Sequence, residues 1–129
     1  RIGGGVPFSR SFGKDLVTVR ILMKVSIPME AGNAAIMDGS LPMKLKAILE
    51  DMKPEAVYFI EEHGKRTGMI VADLKDESCI PALAEPFFLA FNATVEMHPA
   101  MVLDDLMKAG PAIERAVKKH GAPAMAHAG

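Results

Sequence analysis

The sequence predicts an α+β fold, in which a four-stranded antiparallel sheet has helices on one face and an additional helix follows at the C-terminus. Three observations predict it. Residues 17–28 alternate apolar and polar side chains with the period of a strand, and residues 55–74 have the composition of a hairpin. Two apolar stripes with helical spacing follow these units, and a fourth strand comes after the second stripe.

The composition fits one globular domain. The chain has 129 residues, half of them apolar, and a formal net charge of −1. We expect a single domain at residues 16–120, a flexible N-terminal arm at residues 1–15 and a C-terminal tail at residues 121–129. Because no charge of one sign dominates, a nucleic-acid partner is not expected.

The sequence also bears on compartment and cofactors. No apolar run reaches the roughly 20 residues that cross a bilayer, and the Gly-rich start lacks the apolar segment of a secretory signal. The one cysteine, Cys79, has no second thiol to pair with, which is consistent with a reducing compartment. We therefore expect a cytoplasmic protein without a membrane partner. The four histidines are scattered, so neither a metal site nor a cofactor is expected.

The first strand is the clearest element. One of its faces carries apolar residues alone, namely Val17, Val19, Ile21, Met23, Val25 and Ile27. The other face carries Arg20, Leu22 and Lys24 among polar neighbours, and Pro28 ends the strand. This pattern predicts a strand with one buried face.

A helical stripe follows, made of Met37, Leu41, Leu45, Ile48, Leu49 and Met52. Gly39 and Pro42 interrupt it and leave two alternatives. Either the helix kinks there, or a short turn precedes a helix that Ser40 caps with Pro42 in its first turn. Just before this stripe, Asn33 is expected to be an N-cap rather than part of an anion site at the helix start.

The hairpin is the clearest local unit. Residues 55–62 and 66–74 are rich in strand-forming side chains, and Gly64 supplies the turn between them. Tyr58 and Phe59 compete for the same face, so the sequence leaves open which of the two points away from the helices.

A second helix, a fourth strand and a final helix complete the order. Asp76 or Ser78 is expected to cap the helix over residues 80–91. Residues 93–98 alternate as a strand, and a last helix over residues 103–117 is expected to break at its glycine–proline pair.

Strand, helix, hairpin, helix and strand in this order form the βαββαβ arrangement of ferredoxin-like folds. Right-handed crossovers place both helices on one sheet face, which leaves the opposite face bare. A bare face that still carries Leu22 needs a cover. The expected cover is a second copy of the chain, because two sheets face to face form a barrel-like homodimer.

Parts of the chain resemble a family of small, uncharacterised bacterial proteins. The stretches are residues 20–25 (RILMKV), 56–59 (AVYF) and 84–101 (AEPFFLAFNATVEMHPAM), followed by DDL at 104–106. That family is similar to the dimeric α+β barrel superfamily, which includes muconolactone isomerases, antibiotic-biosynthesis-type monooxygenases and stress-responsive barrel proteins. The resemblance spans about residues 17–119. It implies the ferredoxin-like fold and a homodimer that could assemble further, and it assigns no catalytic residue.

Strand parity predicts a polar site on the bare face, because the first and fourth strands are neighbours in this topology. The expected ligand-binding residues are Arg20, Lys24, Tyr58, Glu96 and His98, with Asp73 as a weaker candidate. An Arg can fix a carboxylate, and His98 can move a proton near neutral pH. The expected ligand is therefore a small anionic or carbonyl-bearing organic molecule.

Three functions stay open on the sequence alone, and one of them is a regulatory ligand-sensing subunit that would share the cavity and need a partner protein. In the first, the protein is a homodimeric barrel that binds a small organic molecule as a cofactor-free isomerase or monooxygenase, with His98 and Glu96 as the catalytic candidates. In the alternative, it is a non-enzymatic assembly or stress-response module with a closed dimer interface. Arg20 or Lys24 beside Glu96 would then be an ordinary cross-strand charge pair.

Overall fold

The sheet has the predicted four strands. The structure is a computed structural model, and it describes residues 17–121. Within that range one antiparallel sheet is formed by β1 (Val19–Ile27), β2 (Ala56–Glu62), β3 (Lys65–Leu74) and β4 (Thr94–Pro99). The strands lie in the order β2-β3-β1-β4, so β1 pairs with both β3 and β4. This confirms the α+β class and is consistent with a ferredoxin-like sheet.

Five helices complete the described part of the chain. They are α1 (Met29–Met37), α2 (Ser40–Met52), α3 (Ile80–Phe91), α4 (Leu103–Lys108) and α5 (Gly110–Ala116), with a 3₁₀ turn at Glu77–Cys79 and a π-helical turn at Val117–Gly121. The expected arm at residues 1–15 and all but the first residue of the expected tail at residues 121–129 lie outside the described residues.

The alternation of β1 sets the core. Its residues Ile21, Met23, Val25 and Ile27 are buried, as the sequence predicts. Val17, which precedes the strand, and Val19, which is its first residue, are exposed, so the prediction that they are buried is wrong. Helix α3 adds the fully buried Phe87 and Phe91, α1 adds Ala35, and the apolar side of α2 packs on the same cluster. Helices α1, α2 and α3 therefore share one sheet face, which is the outcome expected of right-handed crossovers.

Helix α1 is an element that the sequence analysis did not predict. It starts at Met29, directly after β1, and Pro28 makes the connection with a φ of −57°. Asn33 consequently lies inside the helix, and the expectation that it is an N-cap is wrong. Its side-chain Oδ1 instead accepts a hydrogen bond from Nη1 of Arg66 at 3.0 Å.

The break between α1 and α2 selects one of the two predicted alternatives. The chain turns at Gly39, which has a φ of 79° that glycine adopts at little cost. Helix α2 then starts at Ser40 with Pro42 in its first turn. Ser40 occupies the first helical position rather than the cap position, and its N–H donates to the Asp38 carboxylate at 2.9 Å. Gly39 therefore occupies the cap position, and the Asp38 carboxylate is the acceptor at this helix start.

The remaining helix ends follow the predicted signals. Asp76 accepts a hydrogen bond from the Ser78 N–H at 2.9 Å and caps the turn that leads into α3. Asn92, with a φ of 54°, ends α3. The last helix is divided between α4 and α5 at the glycine–proline pair, and its apolar side chains stay exposed, among them Leu103, Met107, Ile113 and Val117.

Candidate functional site

The sheet face turned away from α1, α2 and α3 contains all five predicted site residues, and we name it the open face. Strand register assigns to it Arg20, Leu22, Lys24, Ser26, Ala56, Tyr58, Ile60, Glu62, Thr67, Met69, Val71, Asp73, Thr94, Glu96 and His98. On β1, which lies inside the sheet, the residues of this face are half-buried, whereas those of the opposite face are buried from Ile21 onwards. The open face is therefore the less covered side of the sheet.

Register places four of these residues in one row across the sheet. Tyr58 on β2 lies opposite Met69 on β3, which lies opposite Lys24 on β1, and Lys24 lies opposite Glu96 on β4. The row answers the question that the sequence left open. Tyr58 is on the open face, and Phe59 is on the helix face.

Both cations of the predicted site are already bound by carboxylates. Nζ of Lys24 lies 2.5 Å from Oε2 of Glu62, and Nε of Arg20 lies 2.9 Å from Oε1 of Glu55. The hydrogen bond with Glu62 raises the pKa of Lys24, and the same bond lowers the pKa of the Glu62 carboxyl. An anionic ligand would have to compete with these carboxylates for the two cations.

His98 and Glu96 form a second polar couple near the outer strand. Nε2 of His98 lies 3.3 Å from Oε1 of Glu96, and both side chains are more than half exposed. An imidazole next to a carboxylate is a common arrangement for general acid–base catalysis, since the carboxylate can orient the ring. The geometry therefore permits the proton-transfer role that the sequence assigned to these two residues.

The open face has a polar depression of about 240 Å³ at its hairpin end. Its lining consists of Lys24, Ser26, Glu62, His63, Lys65, Thr67, Thr94 and Glu96. Two predicted residues, Lys24 and Glu96, are in it, whereas Arg20, Tyr58 and His98 lie outside. Sequence reasoning missed Glu62 and Thr67 because it left open which residues of the hairpin strands face away from the helices. Once Tyr58 is assigned to the open face, the alternation of side chains along β2 places Glu62 on the same face.

A second concavity lies on the helix face, between α2 and the β2–β3 hairpin, and we name it the α2 cleft. It measures about 300 Å³ and is lined by Val25, Ile27, Leu41, Pro42, Leu45, Leu49, Phe59, Ile60, Arg66, Thr67, Gly68, Ile70 and Phe87. Sequence reasoning missed it because the apolar stripe of α2 was expected to close on the sheet. In the structure the apolar side chains of α2 pack on the core but none is fully buried, and the cleft lies between them and the hairpin. The one feature of the sequence that could have indicated the cleft is Gly68, which puts no side chain on the cleft floor.

The described residues were also compared with the requirements of a metal site and of a membrane span. Among residues 17–121, no three His, Cys, Asp or Glu side chains are placed to hold a metal ion together. In the same range, none of the helices combines the length and the apolarity that crossing a bilayer requires.

The open face and the α2 cleft are two surfaces of the described residues that a ligand could occupy. The likeness to dimeric α+β barrels stays a prediction that depends on the stretches of sequence quoted for it. Comparison of the chain with protein-family models, with curated proteins and with solved structures gives no match.

Proposed function

We propose that the protein is a homodimeric barrel in which the open faces of two copies meet and enclose a small carbonyl-bearing or anionic organic molecule. The observation that supports this is a sheet that has helices on one face and, on the other face, an apolar centre that no helix covers. Leu22, Met69 and Val71 are half-buried there, and Tyr58 is 66% exposed. Apolar surface of this kind on a sheet favours a covering layer.

A second copy suits this surface because both cations of the predicted site are already paired. Lys24 and Arg20 each have a carboxylate partner within their own chain. Bringing two such faces together does not bury an unpaired cation, which would be costly. Two identical sheets can pack face to face around a two-fold axis, with their strands about 30° apart.

The polar depression then becomes a chamber between the two sheets. Lys24 donates to Glu62 and keeps further N–H donors for a carbonyl oxygen of the ligand. On the adjacent strand, His98 and Glu96 can take a proton from the carbon next to that carbonyl and return it elsewhere. A base and an electrophile on one face are what an isomerisation by proton transfer requires.

One observation favours the alternative, a non-enzymatic assembly module with a closed interface. The exposed aromatic and aliphatic side chains Tyr58 and Ile60 lie on the same face as Leu22. If they interdigitate across the dimer, they fill the space that a ligand would need. The dimer is common to both functions, and the chamber distinguishes them.

The dimer is tested by a charge placed in the centre of the open face. The molar mass in solution is measured by light scattering for wild type, Leu22→Lys and Leu89→Lys. Leu89 is 82% exposed on the outer side of α3 and gives a matched control. We expect dimers for wild type and Leu89→Lys, and a folded monomer for Leu22→Lys. A wild-type monomer at tens of micromolar would refute the proposed interface.

The chamber is tested by thermal shift with aromatic acids, lactones and quinones. A compound that stabilises wild type should stabilise Lys24→Met and Glu96→Ala much less, because both substitutions remove polar groups from the lining of the depression. Arg20→Ala, whose residue lies outside the depression, should have a smaller effect. A dimer that no compound stabilises supports the assembly module, and a shift that survives all three substitutions shows that the ligand binds elsewhere.

A further inference from the structure

We propose that the α2 cleft is a second binding site, for a slender aliphatic monocarboxylate. The chain of the ligand lies between α2 and the β2–β3 hairpin, and its carboxylate is bound by the guanidinium of Arg66. This site is on the helix face, so it does not depend on the chamber proposed for the open face.

The walls of the cleft fit an aliphatic chain. Its inner wall contains Val25, Ile70 and Phe87, all of which are buried, and its outer wall contains Leu41, Leu45 and Leu49 from α2. A volume of about 300 Å³ lies at the lower end of the range of small-molecule pockets. Side chains that line an unfilled apolar space lose dispersion contacts, and an alkyl chain would restore them.

Phe59 marks the side of the cleft that a ligand could reach. Its ring is 61% exposed, although it belongs to the helix face of β2. A Cβ on Gly68 would lie 3.7 Å from Cε1 of Phe59, which is an ordinary contact distance, so the ring lies next to Gly68. Phe59 and Gly68 both line the cleft, and Phe59 extends its apolar wall outwards. A large exposed aromatic ring beside an apolar cleft is typical of a binding surface.

Arg66 supplies the charge at this cleft. Its Nη1 donates to Oδ1 of Asn33 at 3.0 Å and lies 3.9 Å from the sulfur of Met29, and both partners are neutral. Among residues 17–121, no carboxylate is within 4.0 Å of the guanidinium. Glu61, its partner across the hairpin, accepts the N–H of Gly64 instead. Arg66 thus keeps most of its five N–H donors for a planar anion, and a carboxylate matches that fork.

Gly32 and Asn33 hold the guanidinium in place. A Cβ on Gly32 would stand 2.8 Å from Nη1 of Arg66, so the absence of a side chain there lets the guanidinium lie against α1. The next residue, Asn33, then fixes its orientation by the hydrogen bond. A cation that is positioned before the ligand arrives loses less freedom on binding. One such cation beside an apolar cleft favours an anion with a single charge and an alkyl chain.

Decanoate, decanol and decylamine are suitable probes, each titrated by calorimetry well below its micelle concentration. We expect decanoate to bind saturably with one site per chain and at least about tenfold more tightly than decanol, since hydrogen bonds to a charged group are the stronger kind. Decylamine should bind more weakly than decanol. Decanol binding as tightly as decanoate, or uptake without saturation, would overturn the proposal.

Variants locate the site. Arg66→Met should weaken decanoate by about tenfold and leave decanol unchanged, whereas Lys46→Met, which removes an exposed cation of α2 outside the cleft lining, should change neither. Gly32→Ala should displace the guanidinium and weaken decanoate in a protein that keeps its circular dichroism. Leu45→Trp should fill the cleft and block both probes.

The outcomes separate this site from the open face. Leu22→Lys should still bind decanoate with wild-type affinity, because Leu22 lies on the opposite side of the sheet. If Arg66→Met and Lys46→Met behave alike, or if Leu45→Trp binds both probes normally, the α2 cleft is not the site. Failure of the dimer test would leave the decanoate result intact.

Discussion

Nζ of Lys24 lies 2.5 Å from Oε2 of Glu62, although the two residues belong to strands that do not pair with each other. Lys24 is on β1 and Glu62 is on β2, and β3 lies between them. Their side chains are 28% and 31% exposed, so the bond is partly shielded from water. It connects the outer strand of the hairpin to β1 across the open face and neutralises Lys24 within its own chain.

The Lys24–Glu62 bond predicts a stability that depends on pH. The bond lowers the pKa of Glu62 below its ordinary value of 4.5, so its contribution is present above that value and disappears as the pH falls through the lower folded-state value. The pKa of Lys24 is raised above 10.5, so its contribution is lost only as the pH rises through that higher value. The free energy of unfolding of wild type should therefore exceed that of Glu62→Gln at pH 7, and the difference should shrink in acid.

Urea unfolding of both proteins between pH 3 and pH 7 checks this, at one protein concentration. Glu50→Gln, an exposed residue of α2, is the control for loss of a carboxylate outside the bond. A difference between wild type and Glu62→Gln that stays constant down to pH 3 would show that the bond contributes nothing in solution.

Phe87 should be the most costly position of α3 to truncate. Its side chain is fully buried against the sheet, and Phe87→Ala removes a ring from the centre of the core. We expect a loss of about 3–5 kcal/mol in the free energy of unfolding. Leu89→Ala, two residues along the same helix and 82% exposed, should change it by less than about 0.5 kcal/mol. Guanidinium unfolding of the two variants measures both values, and similar losses would mean that α3 packs by another face.

The sequence predicts an element well where one periodicity runs through it. In β1 the alternation is strict, so the buried Met23 and the half-buried Lys24 are assigned to their faces from the sequence alone. In β2 the consecutive apolar residues Tyr58, Phe59 and Ile60 hide the alternation. Only pairing with β3 decides their faces, and that pairing is a tertiary property.

The candidate sites depend still more on tertiary structure. Parity placed Lys24 beside Glu96, but the long lysine side chain reaches past β3 to Glu62, which no spacing in the sequence indicates. The apolar stripe of α2 predicts that the helix covers the sheet, but it does not predict that a cleft is left between α2 and the hairpin. Asn33 is a residue type that often caps helices, but a helix starts four residues before it. Its side chain therefore lies inside α1, where it accepts a hydrogen bond from Arg66.

Asp76 should contribute more to the free energy of unfolding than its neighbours in the turn that leads into α3. Its carboxylate accepts the Ser78 N–H at 2.9 Å and is also hydrogen-bonded to the Ser78 hydroxyl. Removing a cap of this kind costs about 0.5–2 kcal/mol, so we expect Asp76→Ala to lower the free energy of unfolding by roughly 1 kcal/mol. Thermal unfolding of Asp76→Ala, Asp76→Asn and Glu77→Ala checks this. Asn should retain most of the stability, and Glu77→Ala, in the same turn, should have little effect. Equal losses for Asp76→Ala and Glu77→Ala would contradict a capping role.

The hairpin turn offers a substitution that should increase stability. His63 and Gly64 both have positive φ, 55° and 76°, as the two central residues of a type I′ turn require. A side chain in this region costs roughly 1–2 kcal/mol, and asparagine tolerates it better than histidine does. His63 is largely exposed, and its Nε2 lies 3.9 Å from Oε2 of Glu62, a surface contact of small energy. His63→Asn should therefore raise the free energy of unfolding by about 0.5 kcal/mol, whereas Gly64→Ala should lower it by about 1 kcal/mol. Urea unfolding measures the two variants together with His98→Asn, which makes the same change of residue type on a strand. This control separates the effect of the turn conformation from the effect of replacing histidine by asparagine. A loss of stability in His63→Asn equal to that in Gly64→Ala would mean that the contact of His63 with Glu62 outweighs the backbone strain.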